Sequence, residues 1–412
     1  GAAASAVVNA GDGQSATVNT PVAIDPSVLV RDAAGNPVAN ESVTFAITSA
    51  GGSVVGSPAL TNASGIATLG SWTLHTIAGA NTLTATVGAL PVATFTATGT
   101  VGATSAAQTT ITTDSASLRA GNSTVVTVQA KDGFGNDRTT ASGTVTLSTT
   151  LGSLSAVVNN LDGTYSATLS TAVSGSATIS GTIGGVTITD NEVVTITVGP
   201  ASGATTTIAT LAASIVADGA SQATITVQAK DDQGNNLAAS GGTVVLNTTA
   251  GTLSAVADNN DGTYTATLTS DAMPATATVT GTIGGNGITD NAVVEFAAGS
   301  ADATQSTIVT APAGPNVTVG TSVTITVQLE DALGNQLATS GGTVLISRSG
   351  TGALTGTTDN GDGTYTATLT SATIGSATIS ATLGATPITG SANPTITFVA
   401  GAATQIAVSG GN

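Results

Sequence analysis

Apolar and polar residues alternate along most of this chain in short runs separated by glycine, asparagine and aspartate. In residues 124–130, Val126 and Val128 fall on one face, and after a turn Val145 and Leu147 do the same. Further on, Tyr165, Ala167 and Leu169 alternate, Gly175 opens a run through Ala177 and Ile179, and Val194, Ile196 and Val198 close the series. The same order returns with Val244 and Leu246, then Tyr264, Ala266 and Leu268, and again with Val344 and Ile346, then Tyr365, Ala367 and Leu369. A period of two puts alternate side chains on opposite faces of a strand, so each run predicts a strand with one buried face. About seven such runs per unit, bounded by turn residues, predict an antiparallel sandwich.

The turns themselves repeat. Asp-x-x-Gly-Asn stands at Asp132 to Asn136, Asp231 to Asn235 and Asp331 to Asn335, with a looser copy at Asp32 to Asn36. Asp-Gly-Thr-Tyr stands at Asp162 to Tyr165, Asp261 to Tyr264 and Asp362 to Tyr365. Self-similarity at a period of about a hundred residues predicts an array. We place units at 1–100, 101–200, 201–300 and 301–402. Residues 403–412 read as the start of a further repeat or as an orphan strand, and two origins are open: a cut from a longer array, or a strand donated to a neighbouring copy. The first unit diverges most and alone carries Trp72 and His75, with Trp72 read as the large plug of a core otherwise poor in aromatics. The junctions, such as Thr100-Val101-Gly102-Ala103, hold no Gly/Ser-rich or Pro-rich tract, so flexible spacers are not expected.

Composition sharpens this. Among 412 residues there are 52 glycines, five Phe, three Tyr and one Trp, and the abundance of Thr and Val favours strands over helices. The formal net charge of −17 leaves no basic patch for nucleic acid or an anionic membrane surface. No cysteine is present, which removes disulfides and thiolate metal sites, and no apolar run reaches the ~20 residues that span a bilayer.

The candidate chemistry is thin. In the Asp-x-x-Gly-Asn turns the aspartate can accept turn amides while the glycine takes dihedrals other residues avoid. Asp258 with Asp261, and Asp359 with Asp362, place two carboxylates three apart in a loop and are calcium candidates, with Asp190 or Asp290 as further donors. Calcium wants six to eight oxygens, more than such a turn supplies by itself. The competing reading of the same motif is an Asp-Gly turn followed by a tyrosine whose ring is buried and whose hydroxyl bonds backbone. His75, the only histidine, has no second basic group or thiol beside it in the pattern, and no catalytic residues are expected.

Asp32-Ala33-Ala34-Gly35-Asn36-Pro37, Val43-Thr44-Phe45, Gly51-Gly52-Ser53-Val54 and Gly65-Ile66-Ala67-Thr68 together resemble the bacterial immunoglobulin-like domains of the invasin and intimin family. The later units resemble the related invasin-type repeats, and their Asp-Gly-Thr-Tyr is also similar to filamin-like domains. The resemblance implies an all-β chain of tandem immunoglobulin-like β-sandwiches arranged as an elongated rod, at a bacterial cell surface. It implies a stalk or spacer that projects a distal module. The alternative is a self-assembling subunit of an extracellular filament or surface layer. The partners expected are neighbouring copies, or host and cell-surface molecules met through modules outside this chain.

Overall fold

The computed structural model describes residues 1–49 and 51–402; the strand expected at 403–412 lies outside the described residues. The chain divides into two compact units, Gly1–Val198 and Gly199–Asn412. Every regular element among the described residues is a strand.

In the first unit, a three-stranded sheet (Ala3–Ala10, Ser27–Asp32, Ile66–Thr68) faces a five-stranded one ordered Gln14–Thr17, Ala93–Thr100, Gly79–Thr86, Ser42–Ile47, Ala59–Leu60. Ser53–Val55 and Ser71–Thr73 add a two-stranded ribbon. Trp72 is fully buried between these layers with Val28, Leu69 and Leu83, and the Phe45 and Phe95 rings lie 6.2 Å apart at 44°. The plug role read for Trp72 holds.

The second sandwich of that unit pairs Thr110–Thr113, Ser123–Gln129, Thr164–Ser170 and Ser153–Leu154 in one sheet. Ser117–Arg119, Glu192–Thr197, Gly175–Ile183 and Val145–Thr149 form the other. Val126, Val128, Tyr165 and Leu169 from the first sheet meet Ala177, Ile179, Val194 and Ile196 from the second, the faces that alternation marked. Half-buried Leu147 packs against the same core.

The second unit repeats this plan twice. Val227, Tyr264 and Leu268 face Val279, Val294 and Phe296 in one sandwich, and Val327, Tyr365 and Leu369 face Ile379, Ile396 and Phe398 in the other. Gln222–Gln228 pairs Thr263–Thr269 in the register that Ser123–Gln129 keeps with Thr164–Ser170, with Val227 opposite Tyr264 as Val128 is opposite Tyr165.

The strand count exceeds the expectation. Between Thr110 and Thr197 there are ten strands, where about seven runs were read. Three are two-residue pieces: Ser153–Leu154, Val158–Asn159 and Val186–Thr187. Another comes from a split: Thr110–Thr113 joins one sheet antiparallel to Ser123–Gln129, then the chain crosses and Ser117–Arg119 runs parallel to Glu192–Thr197 in the other. The Asp114 amide donates to Val125 O at 3.1 Å and the Ser115 hydroxyl to Ser117 O at 2.5 Å, which satisfies polar groups at the crossing.

Candidate functional site: the turns that hold adjacent sandwiches

Asp132 is fully buried and both its oxygens are used. Oδ1 accepts the Phe134 and Asn136 amides at 2.9 and 3.0 Å and so closes its own turn. Oδ2 accepts the amide of Gly102, in the linker from the first sandwich, at 2.9 Å. Asn136 faces the other way: its Nδ2 donates to Thr76 O and its Oδ1 accepts the Ala78 amide, each at 2.8 Å. One side-chain amide thus pairs with a loop of the preceding sandwich as a strand would. Arg138 also donates through its guanidinium to Gly102 O.

The second unit repeats the device. Asp331 Oδ2 accepts the Gly299 amide at 2.8 Å and Oδ1 accepts those of Leu333 and Asn335, both at 2.9 Å. The buried Asn335 donates Nδ2 to Ala272 O at 3.1 Å and Ala217 O at 3.4 Å, in two loops of the preceding sandwich. Asp231 Oδ2 holds the Gly199 amide at 2.9 Å. Asp32 closes its own turn in the same way, and its Oδ2 lies 3.1 Å from the Gly1 ammonium.

The electrostatics follow from these donors. Burial pushes the Asp132 carboxyl up, but hydrogen bonds from Gly102, Asn136 and Phe134 outweigh it and the net pKa is lowered. Asp231 and Asp331 behave alike, with burial again opposed by the linker glycine and the motif asparagine. Asp32 is lowered to about 2, first by the Asn36 amide and then by the terminal ammonium.

Asp-Gly-Thr-Tyr packs beside this turn, a meeting of the two repeated marks that sequence reading did not anticipate. Gly163 sits at φ +88°, and a Cβ there would fall 1.8 Å from Arg138 O, so only glycine fits. Its carbonyl accepts the Ala130 amide at 3.0 Å. Asp162 accepts the Thr164 amide and hydroxyl at 2.9 and 2.6 Å. Tyr165 donates to Gly143 O at 2.7 Å and accepts the Ser142 amide at 2.8 Å. The tyrosine reading expected a buried ring and a backbone bond, and both are present. The bonded carbonyl lies 22 residues upstream and across the core, so the side chain ties the two sheets together. Tyr264 and Tyr365 reach Gly242 O and Gly342 O in the same way, at 2.8 and 2.6 Å.

Gln129 was missed by sequence reading. It donates to Ala130 O at 2.9 Å and Arg138 O at 3.2 Å, bracing the hairpin beneath the turn, and Gln228 and Gln328 recur there. The signal was a glutamine three residues before Asp132, Asp231 and Asp331.

Asp258, Asp261, Asp359 and Asp362 are exposed, and each accepts hydrogen bonds from nearby loop residues. Asp258 accepts the Asn260 amide at 2.8 Å and the Ser240 hydroxyl at 2.5 Å, and Asp261 accepts the Thr263 amide at 2.9 Å and hydroxyl at 2.5 Å. Asp359 accepts the Gly361 amide at 2.9 Å; Asp362 accepts the Thr364 amide at 3.0 Å and hydroxyl at 2.5 Å. The further donors considered with them are also engaged: Asp190 caps the Ile111 amide at 2.8 Å and Asp290 the Ile208 amide at 3.0 Å. No group of three or more His, Cys, Asp or Glu side chains placed to hold a metal occurs among the described residues. His75 is half-buried, and its Nδ1 accepts the Ile77 amide at 2.7 Å, which shapes the loop that Asn136 grips.

Within each unit this arrangement defines small immunoglobulin-like sandwiches, the second of which is tied to the first by its repeated residues. Three stretches, 105–199, 202–299 and 302–401, match the family described as invasin, domain 3, and the chain belongs to that family. It is similar in fold to the Escherichia coli adhesin FdeC, at 22% identity over 73% of this chain and 99% of that one, with a TM-score of 0.38. Invasin, a bacterial integrin-binding protein, is 20% identical over 96% of this chain and 79% of its own, with a TM-score of 0.40. InvD of Yersinia pseudotuberculosis is 21% identical over 71% and 98%, with a TM-score of 0.34. Family membership makes the chain a non-catalytic, extracellular segment of the bacterial surface-adhesin class, with the general stalk-like role of such domains. Among the described residues no helix is long and apolar enough to cross a membrane.

Proposed function

We propose that the chain is a stalk segment that holds a distal module away from the bacterial surface, built from four modules at 1–100, 101–200, 201–300 and 301–402. The observation that carries this is the double use of the motif: Asp132 fixes the linker while Asn136 fixes the loop of the sandwich before it, and Asp331 and Asn335 do the same. Junctions held on two sides resist bending, which is what a spacer needs. From strands of several residues at ~3.3 Å each plus loops, four modules in series reach on the order of 150 Å. Small-angle scattering tests the reading. A compact globule of this length has a radius of gyration near 22 Å by the usual scaling, and a value close to that refutes the stalk.

Host or cell-surface recognition then belongs to modules other than these. The alternative of copies joining into a filament rests on residues 403–412, and polymerisation abolished by their removal would support it. For Asp258, Asp261, Asp359 and Asp362 the reading we favour is structural, since each already accepts an amide of its own loop. Isothermal titration with calcium is expected to give no binding heat, and stoichiometric uptake would restore the calcium reading.

A further inference from the structure

Each sandwich presents its second and last strands to an axial pull in one particular way. In the first, Gln14–Thr17 runs parallel to Ala97 through Thr100 over four register pairs. In the second, Ser117–Arg119 runs parallel to Thr195 through Thr197, and in the third Ser214–Val216 runs parallel to Glu295 through Ala297. In the fourth, Asn316–Thr318 runs parallel to Thr397 through Val399. Flanking bonds extend each pair. Ala120 N donates to Thr197 O and Thr195 N to Ala116 O, both at 2.9 Å; Ala217 N donates to Ala297 O at 2.8 Å and Glu295 N to Ala213 O at 2.9 Å. Val319 N donates to Val399 O at 2.9 Å, and Thr397 N donates to Pro315 O.

We propose that these four parallel strand pairs are mechanical clamps, and that the chain bears tensile load as well as setting distance. The geometry dictates the loading. Tension on the N-terminal side draws the early strand backwards along its axis, and tension on the C-terminal side draws the last strand forwards. Because the two strands are parallel, those pulls slide them in opposite directions, and all the rungs between them are stressed together. A hairpin pulled open at one end is stressed one rung at a time and yields more easily. Ahead of each clamp, the chain is also held by an antiparallel strand, such as Thr110–Thr113 on Ser123–Gln129.

The clamps are not equal. Like the others, the first carries two flanking bonds, Gly13 N to Thr96 O and Val18 N to Thr100 O, both at 2.9 Å, but it has four register pairs. The exposed carboxylate of Asp12 adds a further tie, accepting the Thr96 amide at 2.7 Å and hydroxyl at 2.9 Å. The other three clamps have three register pairs each, so the first sandwich is expected to yield last.

The proposal rests on the stalk reading only for the direction of load, and the two fail separately. The test is single-molecule extension of the full chain held by its two ends. Four unfolding peaks are expected, the highest standing apart from the other three. Asp12→Ala, at an exposed position that leaves the core untouched, should lower the highest peak towards the others and leave those unchanged. Ala120→Pro removes a rung from the second clamp and should lower one of the three weaker peaks, with circular dichroism checking that the chain remains folded. If Ala120→Pro disturbs folding, Asp12→Ala decides. Four equal peaks that neither substitution moves overturn the clamp. An extended chain by scattering with such insensitive peaks sinks the clamp alone, whereas a compact chain with Asp12-sensitive peaks sinks the stalk alone.

Discussion

Asn136 offers the sharpest test of how adjacent sandwiches are held. Replacing it with alanine removes the Nδ2 bond to Thr76 O and the Oδ1 bond from Ala78 N, each 2.8 Å long, and takes a partner from Asp132. Two neutral hydrogen bonds at about 1 kcal/mol each give about 2 kcal/mol. Since 1.4 kcal/mol is a factor of ten, that corresponds to roughly 30-fold in an opening equilibrium. Amide hydrogen exchange at Ala78 reads this directly, because Asn136 Oδ1 is its acceptor. Asn136→Ala should speed Ala78 exchange by roughly that factor, while core amides such as Val28 and Leu83 stay unchanged. Asn136→Asp should do more damage than alanine. It retains an acceptor for Ala78, but it sets a carboxylate oxygen against Thr76 O and beside the Asp132 carboxylate, where the donor had been. Unchanged Ala78 exchange in Asn136→Ala, or an aspartate variant no worse than alanine, would refute the reasoning.

Tyr264→Phe keeps the ring but leaves Gly242 O and Gly241 N without the hydroxyl that joins them to the opposite sheet. A loss of about 1–3 kcal/mol is expected in the third sandwich, seen as one calorimetric transition moving down while the others hold. Acid should loosen the chain in a defined window. Asp132, Asp231 and Asp331 have folded pKa values below their ordinary 3.8, so the unfolded chain binds more protons and stability falls as pH falls through that range. Asp32 and Asp218, both lowered to about 2, extend the loss to lower pH. Thermal midpoints should therefore be level from about pH 7 to 5 and decline below about pH 4; a decline beginning near neutrality would point to another group.

The buried faces were legible because alternation is a local property. Val126, Val128, Tyr165, Leu169, Ala177 and Ile179 could be assigned from spacing alone, and each is buried. The turns were legible because aspartate and glycine have conformational needs that show in any context. The split of the first strand was not, because residues 110–119 keep a strand-like composition while the chain changes sheets, and only the pairing partner reveals the crossing. Nor was the reach of Asn136: its acceptor at Thr76 lies 60 residues upstream, and no spacing rule relates the two. Gln129 escaped for a different reason, since a polar residue near a strand end reads as solvated until the hairpin beneath it is seen.

The acidic excess gains a physical meaning from these contacts. A charge of −17 with so few basic residues first suggests repulsion from polyanions and little else. Yet the repeated aspartates act as local acceptors, each collecting amides that the β ladders leave over. Because one oxygen of Asp132 serves its own turn and the other the linker, folding of the second sandwich fixes the path by which the chain enters it. Asn136, held against the same carboxylate at 2.9 Å, carries that constraint to the sandwich before. A sandwich carrying this motif therefore brings its own junction, and the geometry on one side of it is set by residues within about thirty positions of the linker. Swapping whole repeats within the array should preserve the junction, whereas moving the boundary to separate Gly102 from Asp132 should destroy it.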